Sequence, residues 1–301
     1  MPPNSAAVAA PSLCAPARYP LRQRTGTCLL PEELNEMAVR LVRDPRKRAS
    51  VLSAGAAGAK ARALHAALGT RQDVAWSLMP AVRSDPVLRG ALSRAFRPAR
   101  PSSWARNPRQ WLSSLDIDAV MRQYEESHPH FRYLGALPMD FAESDPSTHR
   151  CVSEAACHLH VESALRSGKS LIGMALNLDD HTESGSHWVA CCAGIDPADP
   201  LRFGVWFYDS VARPPTPQVR AFVKRLALEV RGVLGEAASA HFRIHWNTRR
   251  KQWENTECGV YTMLFLIACV TTAQPVPKIC AAMRGDAATN RLRDLLYAHA
   301  D

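Results

Sequence analysis

Gln252-Trp253-Glu254-Asn255-Thr256-Glu257-Cys258-Gly259-Val260-Tyr261 leads into an apolar run from Met263 to Val270. The run predicts a buried helix from about 258 to 271, with a cysteine at its first position. A helix N-terminus presents unpaired backbone N–H groups and the positive end of the macrodipole, which favours an anion placed there. Cys258 is therefore a candidate nucleophile in thiolate form. Gln252, six residues earlier, supplies an amide side chain.

Working outward, two further residues complete a hydrolytic set. His187 stands in Ser186-His187-Trp188 and Asp209 in Phe207-Tyr208-Asp209-Ser210, each beside a strand-like run. A thiolate that attacks a carbonyl needs a general base, a group to orient that base, and donors for the developing oxyanion. His187 can take and return the proton. Asp209 can fix its tautomer and stabilise the imidazolium. Gln252 can face the oxyanion together with the backbone N–H of Cys258, and Gly259 keeps the backbone behind the nucleophile accessible. Singly, each residue has a plainer reading: a small buried hydrophobe, a satisfied strand histidine, a turn aspartate. The four in this order are far more specific, and the order His, Asp, Gln, Cys excludes a papain-type arrangement, where Gln and Cys come first.

The surrounding texture predicts an α+β core. Strand candidates are 170–178, 187–195, 203–209 and 241–246, rich in Val, Ile, Phe and Trp, with short extended pieces in 131–141. Helices are expected after Trp111-Leu112, carrying Ile117, Val120, Met121 and Tyr124, and near 152–167, 217–233, 258–271 and 278–298. Strands followed by packed helices argue against a doubly wound sheet.

The front of the chain reads differently. Residues 1–30, with Pro2, Pro3, Pro11, Pro16 and Pro20, read as a disordered tail rather than a leader. Residues 31–104 read as a basic helical arm, with helices at 31–43, 50–68, 71–82 and 86–96, and Pro98, Pro101 and Pro108 mark the boundary to a core domain at 105–301. Residues 1–110 carry 18 Lys/Arg against 6 Asp/Glu, or +12, and the remainder 19 against 22, or −3. Such an asymmetry suggests an arm that meets DNA or an acidic protein face, the plainer reading being solvated Arg-rich helices.

Other chemistries have little support. There is no phosphate loop, dinucleotide fingerprint or metalloprotease His pair, so no cofactor is expected. Cys151, Cys157, His158 and His160 cluster, but their spacing is not that of a zinc site, and no metal is expected. Nine cysteines form no regular framework, and Cys191-Cys192 on a strand would point to opposite faces, so thiols in a reducing compartment are expected rather than disulfides. Cys28 reads as a buried thiol. No apolar run reaches the roughly 20 residues of a membrane span, so a soluble chain is expected.

The residues resemble the SUMO-protease-like cysteine peptidases (clan CE). Their pattern is His-Trp, an Asp ending the next strand, then Gln, five residues and Cys-Gly-Val, and it is met across 111–270. Within that group the chain is similar to the polyprotein-processing proteases of nucleocytoplasmic large DNA viruses, of the African swine fever virus type. That similarity rests on Thr25-Gly26-Thr27-Cys28-Leu29, on Trp111-Leu112-Ser113-Ser114-Leu115-Asp116-Ile117 and on Val120-Met121-Arg122-Gln123-Tyr124-Glu125. One departure is that some viral relatives carry Asn where this chain has Asp209.

The resemblance implies a papain-like, adenain-type core with a mixed sheet flanked by helices. It implies that Trp111 and Trp188 wall a tunnel gripping a Gly-Gly pair before the scissile bond. Two indole faces closing on a backbone exclude side chains, so the small-residue preference is steric. The plainer reading makes both tryptophans core anchors. It further implies a protein substrate, a structural polyprotein precursor cut during virion maturation, and a place in the virion and infected-cell cytoplasm. Three rivals share some of the features: a deconjugating protease for a ubiquitin-like modifier, an acyl transferase working through a thioester at Cys258, and a non-enzymatic protein with a dead core.

Overall fold

The computed structural model describes residues 14–70, 82, 85–145 and 147–298. A five-stranded mixed sheet organises the larger unit, Arg106–Arg293. In chain order its strands are β1 (Phe131–Leu137), β2 (Leu171–Asn177), β3 (Trp188–Gly194), β4 (Gly204–Tyr208) and β5 (Ile244–Trp246), and they are neighbours in the same order. The outer pairs, β1 with β2 and β4 with β5, run parallel, while β2–β3 and β3–β4 are antiparallel.

Each face of the sheet is covered by a helix whose sequence fits its place. Pro217–Leu234 begins with proline at its first turn and with the Thr216 hydroxyl accepting from the N–H of Val219 at 3.3 Å. Its buried Val219, Phe222, Val223, Leu226 and Val230 recur at helical spacing and form one apolar stripe. That stripe packs with Val189, Cys191, Val205 and Phe207 of the sheet. The second helix, Cys258–Thr271, is buried at every residue from Cys258 to Val270. A helix apolar all round belongs inside a protein, and this one lies across β2 and β3. The Cys192 thiol faces that of Cys269 in that helix while Cys191 lies in the opposite cluster, so the adjacent cysteines do point to opposite faces. The expected mixed, helix-flanked sheet is thus present.

Boundaries shift where small residues hide breaks. The stretch expected as one helix over 50–68 is two, Pro45–Ser53 and Ala57–Leu68. Likewise 152–167 divides into Glu154–Cys157 and Val161–Arg166, and 278–298 into Val276–Ala282 and Asp286–Leu296. The helix expected at 71–82 lies, but for Val82, outside the described residues.

The front unit groups residues 14–105 with 294–298. Its helices Pro31–Leu41, Pro45–Ser53 and Pro86–Ala95 all start with proline, where a missing N–H has no consequence. Asp44 and Asp85 cap two of them by accepting backbone N–H bonds. Leu34, Met37, Leu64, Leu92 and Phe96 belong to its core. Buried Lys60 points its ammonium at the carbonyls of Val51 and Leu52, at 3.0 and 2.8 Å, where a preceding helix ends.

Four cysteines depart from the expectation of thiols. Cys14 is bonded to Cys28, with Cα atoms 5.4 Å apart, and Cys151 to Cys157, at 6.3 Å. Both separations suit a disulfide, a proximity that spacing along the chain does not reveal. Among the described residues, no helix is long and apolar enough to cross a membrane.

Candidate active site

His187 enters immediately before β3 and Asp209 leaves immediately after β4, so the antiparallel pairing of these strands sets the two side by side. The His187 Nε2 donates to Asp209 Oδ1 at 2.7 Å. The Cys258 side chain lies close enough to the same imidazole to raise its affinity for a proton. Nε2 being engaged by Asp209, Nδ1 is the ring nitrogen left for the sulfur. Cys258 stands at the first position of its helix, whose first internal bond runs from the N–H of Tyr261 to the carbonyl of Glu257. The N–H groups of Cys258, Gly259 and Val260 therefore have no acceptor within the helix and converge beside the sulfur.

Burial and pairing oppose one another at His187. Burial, the largest single influence, pushes the imidazole down. The hydrogen bonds to Asp209 and Cys258, and the charges of both, outweigh it and leave the group raised to about 9. Pairing thus favours the protonated imidazole over the neutral one.

Asp209 is wholly buried, and its carboxylate is surrounded by donors. Oδ1 also accepts from the N–H of Val211 at 3.0 Å, and Oδ2 from the N–H of Arg213 at 3.1 Å. Ala212, at φ 65°, turns the chain so that both amides face the carboxylate. On the other side Asn247 clamps the Asp209 backbone, accepting from its N–H at 2.9 Å and donating to its carbonyl at 2.7 Å. Asn247 escapes sequence reasoning, because an Asn after a short strand reads as a turn.

Gln252 is tied to the same place. Its backbone N–H and that of Lys251 donate to the carbonyl of Ser210, at 3.0 and 2.8 Å. The Ser210 hydroxyl donates to Gln252 Oε1 at 2.5 Å, and Nε2 gives one proton to the carbonyl of Glu254 at 2.9 Å. These bonds fix the amide plane and leave a second N–H on Nε2. Ser210, which the sequence gives no role beyond following Asp209, is thus the hydroxyl that orients Gln252.

Trp111 and Trp188 line one cavity of about 520 Å³, along with Leu112, Pro138 and Asn177. Trp188 is buried and donates from Nε1 to the Leu112 carbonyl at 3.0 Å, whereas Trp111 is 45% exposed. The segment bearing Trp111 is held from behind as well. Buried Arg293 donates to the carbonyls of Pro108 and Gln110, at 3.1 and 2.8 Å, and to that of Thr256, just before the nucleophile, at 2.8 Å. Gly259 contributes differently from expectation. A Cβ there would lie 3.1 Å from the Leu112 side chain, so its absence lets Leu112 close on the start of the nucleophile helix.

The cluster considered for zinc is differently employed. Cys151 and Cys157 are bonded to each other, His158 pairs with Glu154 at 2.8 Å, and His160 lies 3.7 Å from Glu229. A disulfide leaves no thiolate to bind a metal.

No protein-family model matches the chain. Among curated proteins it is similar to one named "Putative thiol protease R355" of Acanthamoeba polyphaga mimivirus, 27% identical over 161 residues, 52% of this chain. That alignment spans about half of the relative, 47% of its length. Among solved structures the chain is similar to the pS273R protease of African swine fever virus, with a TM-score of 0.64, 17% identity and coverage of 96% of this chain and 97% of that one. A selenomethionine form of the same protease aligns at a TM-score of 0.60, with 16% identity and 96% of each chain covered. The likeness read from the motifs holds in the fold: the chain is similar in sequence to a viral thiol protease and in architecture to the pS273R protease.

Proposed function

We propose that the chain is a cysteine endopeptidase that cleaves after small-residue, Gly-Gly-like sites in structural polyprotein precursors during virion maturation. One observation carries the chemistry: a single imidazole lies between a wholly buried carboxylate and a sulfur at a helix start. The Cys258 sulfur attacks the substrate carbonyl as a thiolate, His187 having taken its proton. The oxyanion forms against the N–H of Cys258 and the second Nε2 proton of Gln252. His187 then gives its proton to the leaving amine, the carbon–nitrogen bond breaks, and a thioester remains on Cys258. Water, deprotonated by His187, attacks the thioester and releases the acid and the thiol.

Trp111 and Trp188 supply the selection. An extended backbone passing between them has room only where it bears no side chain, which is the basis of the small-residue preference. The same passage would admit the tail of a ubiquitin-like modifier, so a deconjugating isopeptidase is the alternative. The basic front unit is read as a contact for DNA or an acidic protein face, and the setting as the virion and infected-cell cytoplasm. Binding to DNA that does not weaken with salt would remove the first of these.

The test incubates the active chain and its Cys258→Ala variant with a peptide library and reads cut sites by mass spectrometry. Cuts after Gly-Gly-like pairs, absent from the variant, are expected. Turnover confined to modifier conjugates would favour the alternative, and cuts that persist without Cys258 would end the proposal.

A further inference from the structure

The cavity that holds Trp111 and Trp188 continues onto the loop between β2 and β3, where Asp180, His181 and Glu183 complete its lining. This loop is built rather than slack. Asn177 Oδ1 accepts from the N–H groups of Asp179 and Ser186, at 3.2 and 3.1 Å. Gly185 takes φ +88° where a Cβ would meet the Asn177 amide at 2.6 Å. Asp180 accepts from the N–H and hydroxyl of Thr182, and Glu183 accepts from the N–H of Asp180, at 3.2 Å.

The charge of this wall is one-sided. The chain carries 37 Lys and Arg, yet none falls between 170 and 201 or between 133 and 149, the two stretches that form this side of the cavity. His181, whose charge also reaches Asp180, bridges two other carboxylates, Asp140 at 2.5 Å and Asp145 at 3.0 Å. Even as a cation it leaves that trio with a net negative charge. Opposite stands Trp111, its indole face half open to solvent. An aromatic face and carboxylates with no Lys or Arg partner among the described residues are the two elements that recognise an alkyl ammonium or guanidinium.

Resting on the protease reading above, we propose that this wall selects an extended polypeptide bearing Lys or Arg a few residues upstream of the small pair, the basic side chain crossing Trp111 to reach Asp180 and Glu183. Trp188 adjoins His187, so positions next to the cut lie near Trp188 and positions further upstream run outward to the acidic loop.

The experiment compares quenched peptides with a common Gly-Gly pair and Lys, Arg, Ala or Glu at the third to fifth upstream positions. Each is also titrated by fluorescence anisotropy onto the Cys258→Ala variant, so that binding is read without turnover. A basic residue is expected to raise kcat/KM and affinity about five- to tenfold over Glu at low salt, and screening should erase most of that above roughly 0.5 M salt. The double variant D180N/E183Q should bring the Lys-to-Glu ratio close to one. Equal binding of Lys and Glu peptides at low salt, or a preference that D180N/E183Q does not reduce, overturns the proposal. If Lys peptides bind preferentially but none is ever cut, the protease reading fails while the basic-residue wall stands.

Discussion

Asn247 and Asp209 hold each other by two hydrogen bonds, side-chain amide to backbone carbonyl and backbone N–H to side-chain oxygen. The carboxylate that orients His187 is thereby held by a residue from the far end of the sheet, just beyond β5. Asn247→Ala leaves a buried N–H and carbonyl unpaired and should cost about 1–3 kcal/mol of stability. It should also lower kcat with little change in KM, because Asp209 would be misplaced rather than removed. Chemical denaturation and steady-state kinetics read the two effects, and a variant that keeps full kcat would show that the clamp does not act on the site.

The proton on His187 gives a pH prediction. Its folded-state value, about 9, lies above the ordinary 6.5, so the folded chain binds this proton more tightly than the unfolded chain does. The stability it lends is complete below about 6.5 and is lost as pH rises through about 9. Protonation of the leaving amine should fade in the same window, giving an alkaline decline in kcat/KM centred near 9. Cys258→Ala removes a hydrogen bond and a charge that both raise the imidazole, so an NMR titration of His187 should move downward in that variant. An unmoved midpoint would mean that the sulfur does not share the ring.

Gln252→Ala should lower kcat about 10²- to 10³-fold, the usual effect of losing one oxyanion donor. Ser210→Ala should produce a smaller loss in the same direction, since it frees Gln252 Oε1 and lets the amide rotate. A Ser210→Ala enzyme with undiminished kcat would show that Glu254 alone fixes the amide.

Trp188 combines a wall with a hydrogen bond, and two substitutions separate these. Trp188→Phe keeps most of the ring but abandons the Leu112 carbonyl, so it should weaken binding and leave Gly-Gly favoured over Ala-Ala. Trp188→Ala opens the passage and should erase that discrimination, with about 3–5 kcal/mol of stability lost besides. Discrimination that survives in the Ala variant would remove the tunnel.

The cysteine pairing is open to a direct count. Five thiols, those of Cys191, Cys192, Cys258, Cys269 and Cys280, should react in unfolded, unreduced protein, and all nine after reduction. Replacing Cys14 and Cys28 by Ser should cost about 3 kcal/mol, the effect of opening a loop of this length. Nine thiols without reductant would show that neither bridge forms.

Much of the site was legible because its parts sit at element ends, where sequence is most informative. The order and spacing of the motifs put His187 before a strand and Cys258 at the start of an apolar helix, and the structure has a fully buried strand and a helix with no polar face at those places. What stayed hidden depends on folding back. Asn247, Ser210 and Arg293 act through backbone carbonyls and amides of residues far along the chain, and backbone partners leave no mark on a sequence. The missed break at 54–56 has a local reason: Gly55, a poor helix former, is masked by the Ala-rich, helix-forming composition on either side of it.

The nucleophile helix is enclosed along nearly its whole length, and that places a limit on how the molecule can work. Segments packed this deeply open only when the entire domain does, so their amides should be among the slowest to exchange with deuterated solvent. On the proposed reading, the reacting sulfur is anchored in one of the most deeply buried segments among the described residues. Whatever must give way to admit a substrate has to be found in the loops around it.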